Sequence, residues 1–153
     1  AILAAHAFPS AHVTATDISP DALAVARANV ERHRMTQDIT LAEGNLFAAA
    51  GNERFDVILS NPPYVTADSM AALPEEFRQE PTLALAAGHD GNDVLRRILT
   101  DAKSHLNPGG YLVVDVGHNR ELVEDAFPTL PFMWLATQAS DAGVFLLRAE
   151  DLA

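Results

Sequence analysis

Apolar and polar residues follow two periods along this chain, and each change of period marks an element. Residues 12–16, His-Val-Thr-Ala-Thr, read as a short strand that ends in Asp17. Ser19-Pro20-Asp21 then starts a helix, with Ser19 as N-terminal cap and Pro20 in the first turn. Over residues 20–34 the apolar positions Leu23, Ala26 and Val30 repeat at i, i+3 and i+7. One helix face therefore packs on a sheet while Arg27, Glu31 and Arg34 face water. Residues 39–43 form another short strand, and Gly44-Asn45-Leu46-Phe47 follows it. The apolar run over residues 55–60 reads as a buried strand and leads straight into Asn61-Pro62-Pro63-Tyr64. Beyond Gly91, the residues Val94, Leu95, Ile98, Leu99, Ala102 and Leu106 stand at helical spacing until Asn107-Pro108-Gly109-Gly110 stops the helix. A strand over residues 111–116, a short helix over 120–127 and two strands over 132–136 and 143–148 complete the series. The alternation predicts an α/β domain with a mostly parallel sheet covered on both faces. Its last two strands predict an antiparallel hairpin at one edge.

Two places in this series carry chemistry. An amide or aromatic amine nitrogen is a poor nucleophile because its lone pair is delocalised, so an enzyme that alkylates it must hold the NH2 rigidly between acceptors. The Asn61 side-chain oxygen can accept one hydrogen. The Pro62 carbonyl, fixed by its own ring and by the restriction Pro63 places on its predecessor, can accept the other. Tyr64 offers a flat face for the planar group, and an activated methyl held at about 3 Å would then be in position for attack. The same letters also make an ordinary turn after a strand. Asp17 is the second place: a carboxylate that ends a strand before a helix is where open α/β sheets grip the ribose hydroxyls of a nucleoside-containing cofactor. It equally reads as a polar loop residue. At Asn45 an amide could pair with an adenine edge while Leu46 packs on the ring.

Composition narrows the classes. The chain has 153 residues, enough for one α/β core, and a formal charge of −11, with ten Lys and Arg against 21 Asp and Glu. With no basic run, free nucleic acid is a poor partner, whereas a basic protein would be attracted to the acidic surface. Those acids equally serve to solvate the surface. There is no cysteine, hence no disulfide and no thiolate metal site, which suits a cytoplasmic protein. His6, His12, His33, His89, His105 and His118 show no zinc-type spacing, so no metal is expected. No stretch reaches the ~20 apolar residues of a membrane helix, and the Ala-rich start lacks the basic region of a signal peptide. Gly109-Gly110 reads as a helix stop rather than a phosphate loop, and Phe132 and Trp134 as packing residues.

On the strand-borne Asn61-Pro62-Pro63-Tyr64, the chain resembles the class I methyltransferases that use S-adenosylmethionine, and within them the HemK/PrmB group of protein-glutamine N5-methyltransferases. Two stretches resemble the PrmB branch, which methylates a glutamine of a large-subunit ribosomal protein. One runs from Leu73-Pro74-Glu75-Glu76-Phe77 through Leu83 to Gly88 and on to Arg96-Arg97-Ile98-Leu99. The other is Pro131-Phe132-Met133-Trp134-Leu135 followed by Gly143-Val144-Phe145. The resemblance implies a Rossmann-like fold, a cytoplasmic enzyme, S-adenosylmethionine as cofactor and a basic ribosomal protein as partner. It implies that Asp17 binds the ribose, that Ile18, Asn45 and Leu46 lie at the adenine, and that Asn61 and Pro62 hold the glutamine amide, with Pro63 stiffening them and Tyr64 against it. Asn61 is also counted with the cofactor-binding residues. Asn45 departs from the family, where Asp is usual. The Asp/Glu-x-Gly-x-Gly loop and its strand are absent ahead of residues 1–5, which read as the inside of a helix. The chain is therefore expected to be a single truncated catalytic domain, residues 1–153, with its first strand missing, two strand edges unpaired and weak cofactor binding of its own. Residues 65–91 are expected to act as a lid, with Glu80 touching substrate main chain or pinned to Arg78. Two other functions share these letters: adenine-N6 methylation of DNA or RNA, which uses a similar NH2 clamp, and a binding fragment without catalysis.

Overall fold

The computed structural model describes residues 1–63, 92–136 and 143–153. The chain folds as two compact units that meet after residue 53 in sequence.

In the first unit, Ala1–Glu53, helix α1 (Ile2–Ala7) precedes strand β1 (Val13–Asp17), helix α2 (Pro20–Arg32) and strand β2 (Ile39–Glu43). Helix α2 starts where the sequence places it: the Ala22 N–H donates to the Ser19 hydroxyl at 3.2 Å, and Pro20 occupies the first turn. It ends two residues early, because Arg34 turns into the left-handed region at φ 58° and the Met35 N–H reaches back to the Val30 carbonyl at 3.0 Å. Leu23 and Val30 are buried and Ala26 is half-buried, as the spacing predicts. Strands β1 and β2 pair in parallel, Val13 with Ile39 through Asp17 with Glu43. Ala5, Val30, Met35 and Ile39 form the core of this unit, flanked by Ile2, Val13 and Leu41.

The second unit, Arg54–Ala153, holds a four-stranded sheet in the order β3-β4-β6-β5. Strand β3 is Phe55–Ser60, β4 is Leu106–Asp115, β5 is Met133–Trp134 and β6 is Val144–Arg148. Helix α3 (Asp93–Asp101) lies between β3 and β4 in sequence, and α4 (Arg120–Ala126) follows β4. Strands β3 and β4 are parallel and both partners of β6 are antiparallel, so the expected closing pair of strands forms with β5 at the edge. Phe132, Trp134 and Phe145 stack as a cluster with ring centroids 4.8–5.7 Å apart, and the Arg120 guanidinium lies 4.8 Å from the Trp134 ring centre. After β6, the Asp151 carboxylate accepts from the Arg148 backbone and guanidinium, and the hydrogen bond from that guanidinium holds the Asp151 carboxyl below its ordinary value.

Three features of the second unit also differ from the sequence reading. Helix α3 stops at Asp101 and tightens into a 3-10 turn, Ala102–His105, rather than running on to Leu106. Leu106 instead opens β4, because it pairs with Phe55 and is almost wholly buried. Strand β3, read as buried, is not: Val57 is 49% and Leu59 60% exposed. Register explains the third difference. Val57 faces Tyr111, and Leu59 faces Val113, Leu146 and Met133, on one side of the sheet. That side is open to solvent or only half-buried, while Leu112, Val114, Phe145 and Leu147 on the other side are fully buried. Among the described residues, then, one face of this sheet is covered rather than two. Among the described residues, β1 pairs only with β2 and β3 only with β4, as the sequence anticipates.

Candidate functional site

The carboxyl ends of two strand pairs carry the residues singled out by sequence. In the first unit, Asp17 is the last residue of β1 and is exposed. One of its carboxylate oxygens accepts the Ser19 N–H at 2.8 Å, which fixes the carboxylate over the start of α2 and leaves the second oxygen directed by the first. The Gly44 N–H donates to the Asp17 carbonyl at 3.0 Å, so the loops leaving β1 and β2 are tied together. Ile18, 51% exposed, and half-buried Leu46 supply apolar surface, and Asn45 is exposed. These four sequence-predicted residues therefore share one end of one small sheet.

The turn after β2 is built at a cost. Leu46 stands at φ 54°, where a side chain with a Cβ costs about 1–2 kcal/mol. It opens a 3-10 turn, Leu46–Ala49, that folds back on the strand end. Gly44 permits this: a Cβ there would lie 2.7 Å from the Ala49 Cβ. Asn45 occupies the cap position of that turn, yet its side chain makes no cap hydrogen bond. Strain at a bulky residue and an unused capping group concentrate where a ligand contact is expected.

In the second unit, β3 is hydrogen-bonded to β4 up to Ser60, opposite Val114, and Asn61 is the first residue beyond the ladder. Asn61 is exposed, Pro62 is buried and Pro63 is half-buried. The prolines are thus anchored while the amide reaches outward. Among the described residues, no hydrogen bond takes up the Asn61 side chain or the Pro62 carbonyl. Tyr64 lies outside the described residues, as do the predicted lid over 65–91, Glu80 and Arg78. Sequence reasoning passed over Asn92, which is 4% exposed at the cap position of α3. Its signal in sequence was the Gly-Asn-Asp that precedes the helical spacing.

The donor set fits a nucleoside cofactor carrying a diol and a purine: a carboxylate at a strand end, an amide one strand away, and two apolar side chains for the ring faces. Among the described residues no three His, Cys, Asp or Glu side chains gather to hold a metal, and no helix is long and apolar enough to cross a membrane.

Comparison with known proteins extends this geometry. The methyltransferase small domain family matches residues 1–88. The chain is 54% identical to the ribosomal protein uL3 glutamine methyltransferase of Bradyrhizobium diazoefficiens, over 99% of this chain and 48% of that protein. It is 51% identical to the ribosomal protein uL3 glutamine methyltransferase of Bordetella pertussis, over 99% of this chain and 51% of that one. The chain thus spans about half the length of the curated relatives it matches. Among solved structures, a methyltransferase from Pyrococcus furiosus superposes with a TM-score of 0.67 at 20% identity, covering 97% of this chain and 68% of that one. The shared fold is the Rossmann-like fold of class I S-adenosylmethionine-dependent methyltransferases, with a mixed parallel and antiparallel sheet.

Proposed function

The chain belongs to the methyltransferase small domain family, and on that premise we propose that the protein transfers a methyl group from S-adenosylmethionine to the side-chain amide nitrogen of a glutamine in a large-subunit ribosomal protein. Residues 1–153 serve in this reading as one catalytic domain of a cytoplasmic enzyme. The observation that carries it is the state of Asn61 and Pro62: the amide is exposed just past the β3 ladder, the proline beside it is buried, and no described group occupies either acceptor. The relatives' substrate, as their names give it, supports the choice of glutamine.

When bound, S-adenosylmethionine supplies an electrophilic methyl carbon on a cationic sulfur that leaves as a neutral thioether. Asp17 holds the ribose hydroxyls through the carboxylate that Ser19 orients. Ile18 and Leu46 would supply apolar surface for the purine, and Asn45 would pair with its edge. Asn61 Oδ1 and the Pro62 carbonyl each accept one hydrogen of the glutamine NH2, which fixes its plane and raises electron density on nitrogen. Pro63 restricts the conformation of Pro62 and so helps to fix its carbonyl, and Tyr64 is the residue proposed to pack on the amide. No strong base is required, because the alkylated amide nitrogen is transiently cationic and gives up its proton to water. Asn61 Oδ1 holds that proton until it leaves.

The test uses the full-length protein with a labelled methyl donor and either uL3 or adenine-containing DNA, and maps the modified residue by mass spectrometry. The expected label sits on a glutamine side chain of uL3. Asn61→Ala is expected to lower kcat by about 100-fold or more while leaving donor affinity within a few-fold. Label on adenine, or undiminished activity of Asn61→Ala, refutes the proposal.

A further inference from the structure

Register brings an acid beside the amide clamp. Ser60 pairs with Val114, so the next residues along these two neighbouring strands are Asn61 and Asp115. Adjacent strands lie about 4.8 Å apart, which puts the two side chains within reach of each other. Asp115 alternates with Val114 and stands with Tyr111 and Val113 on the open side of the sheet. That side also carries Leu59 and Val57, two and four residues before Asn61. Asp115 is half-buried and held by its own turn: one carboxylate oxygen accepts the Gly117 N–H at 2.9 Å. Gly117, at φ 57°, accepts the Gly143 N–H at 3.0 Å, and a Cβ on Gly143 would overlap that carbonyl, so the two segments meet without room for a side chain. The second oxygen of Asp115 has no partner among the described residues.

An Asn side chain ends in an acceptor and a donor, and turning it over exchanges them. Only the oxygen end can receive a glutamine NH2, so the clamp needs a neighbour that selects it. A carboxylate makes that choice, because it accepts from Nδ2 and repels Oδ1. We propose that Asp115 is a positioning residue whose second oxygen accepts from Asn61 Nδ2 and so turns Asn61 Oδ1 toward the glutamine NH2. The inference rests on the reading of Asn61 as the glutamine clamp. The two side chains are not hydrogen-bonded to each other in this structure, and contacts of this kind tighten around bound substrate.

The experiment measures methylation of uL3 by the full-length protein and its variants. Asp115→Asn keeps an oxygen for the Gly117 N–H but puts an NH2 in place of the second oxygen, which favours the wrong end of Asn61. It is expected to lower kcat by about tenfold or more, with KM for uL3 and affinity for S-adenosylhomocysteine within a few-fold and the urea midpoint unchanged. The exchanged pair, Asn61→Asp with Asp115→Asn, restores complementarity, because the carboxylate at position 61 accepts from residue 115 with one oxygen and from glutamine with the other. Its kcat is expected to exceed that of either single variant by about fivefold or more, which a merely structural role for Asp115 would not produce. A crystal structure of the wild-type protein with S-adenosylhomocysteine and a glutamine peptide gives a reading independent of the variants. In it Asn61 Nδ2 is expected about 3 Å from the Asp115 carboxylate. Undiminished kcat in Asp115→Asn, an exchanged pair no better than the single variants, or a separation beyond about 4 Å overturns the inference. Absence of label from glutamine with the wild-type protein overturns the reading of the clamp itself, and this inference with it.

Discussion

Arg34 and Leu46 are the described residues other than glycine that the backbone holds at positive φ, and they do so for different reasons. Arg34 closes α2 in the position glycine favours after a helix: its own N–H bonds the Glu31 carbonyl, and the next N–H bonds Val30. The side chain is exposed and makes no use of the conformation. Arg34→Gly is therefore expected to raise stability by about 0.5–1 kcal/mol, read as a higher urea midpoint with unchanged slope. Leu46, by contrast, sits where the cofactor candidates gather, and its strain belongs with them. Neither conformation was legible in the sequence, since Arg and Leu are ordinary helix formers and carry no local mark of a left-handed turn. The strand-end positions of Asp17 and Asn61 were legible because each follows a run of strand residues and precedes a helix start or a proline pair. Asn92 was not, because burial of an amide depends on what folds over it.

Elements were read well where one periodicity ran to a capped end, and poorly where pairing overrode it. Helix α2 shows the first case, with Ser19 and Pro20 at its start. The passage from α3 to β4 shows the second. Helical spacing continues through Leu106, but Leu106 joins the sheet opposite Phe55, and the next pair is Val57 with Tyr111. Residues 107–110 therefore bulge from β4 against the single residue Asp56. The bulge is held by Asn107 Nδ2, which donates to the Asp56 carboxylate at 2.9 Å, and by the Arg54 guanidinium, which donates to the Leu106 carbonyl at 2.7 Å. Gly110 fits because it lacks a side chain: a Cβ would lie 2.9 Å from the Asn107 carbonyl oxygen and 3.0 Å from that of Asp56. Both neighbours are backbone and cannot swing away. Gly110→Ala is expected to destabilise the protein by about 1–3 kcal/mol, measured by thermal or urea unfolding. Gly109, at φ 77° with open space around it, gives the comparison: Gly109→Asn should cost less, since the strain there is conformational only.

On the scale of the whole chain, charge separates the remaining partners. Twenty-one acids against ten Lys and Arg give −11, and the described ion pairs, such as Arg120 with Glu124 and Arg148 with Asp151, are local, between residues three or four apart. Paired acids of this kind still leave a large uncompensated negative field. Such a field repels nucleic acid phosphates and attracts a basic protein, and it acts mainly on the rate of encounter. If the acidity of these 153 residues serves the proposed reaction, its effect must weaken as salt shortens the Debye length from about 14 Å near 0.05 M to about 4 Å near 0.5 M. Over that range kcat/KM of the full-length enzyme on intact uL3 is expected to fall several-fold, with kcat nearly constant. A short uncharged glutamine peptide provides the control, because it presents the same amide without the basic surface. Its kcat/KM should hardly change. An equal salt response from peptide and protein would assign the effect to the reaction centre, and the acids would then have no part in selecting the substrate.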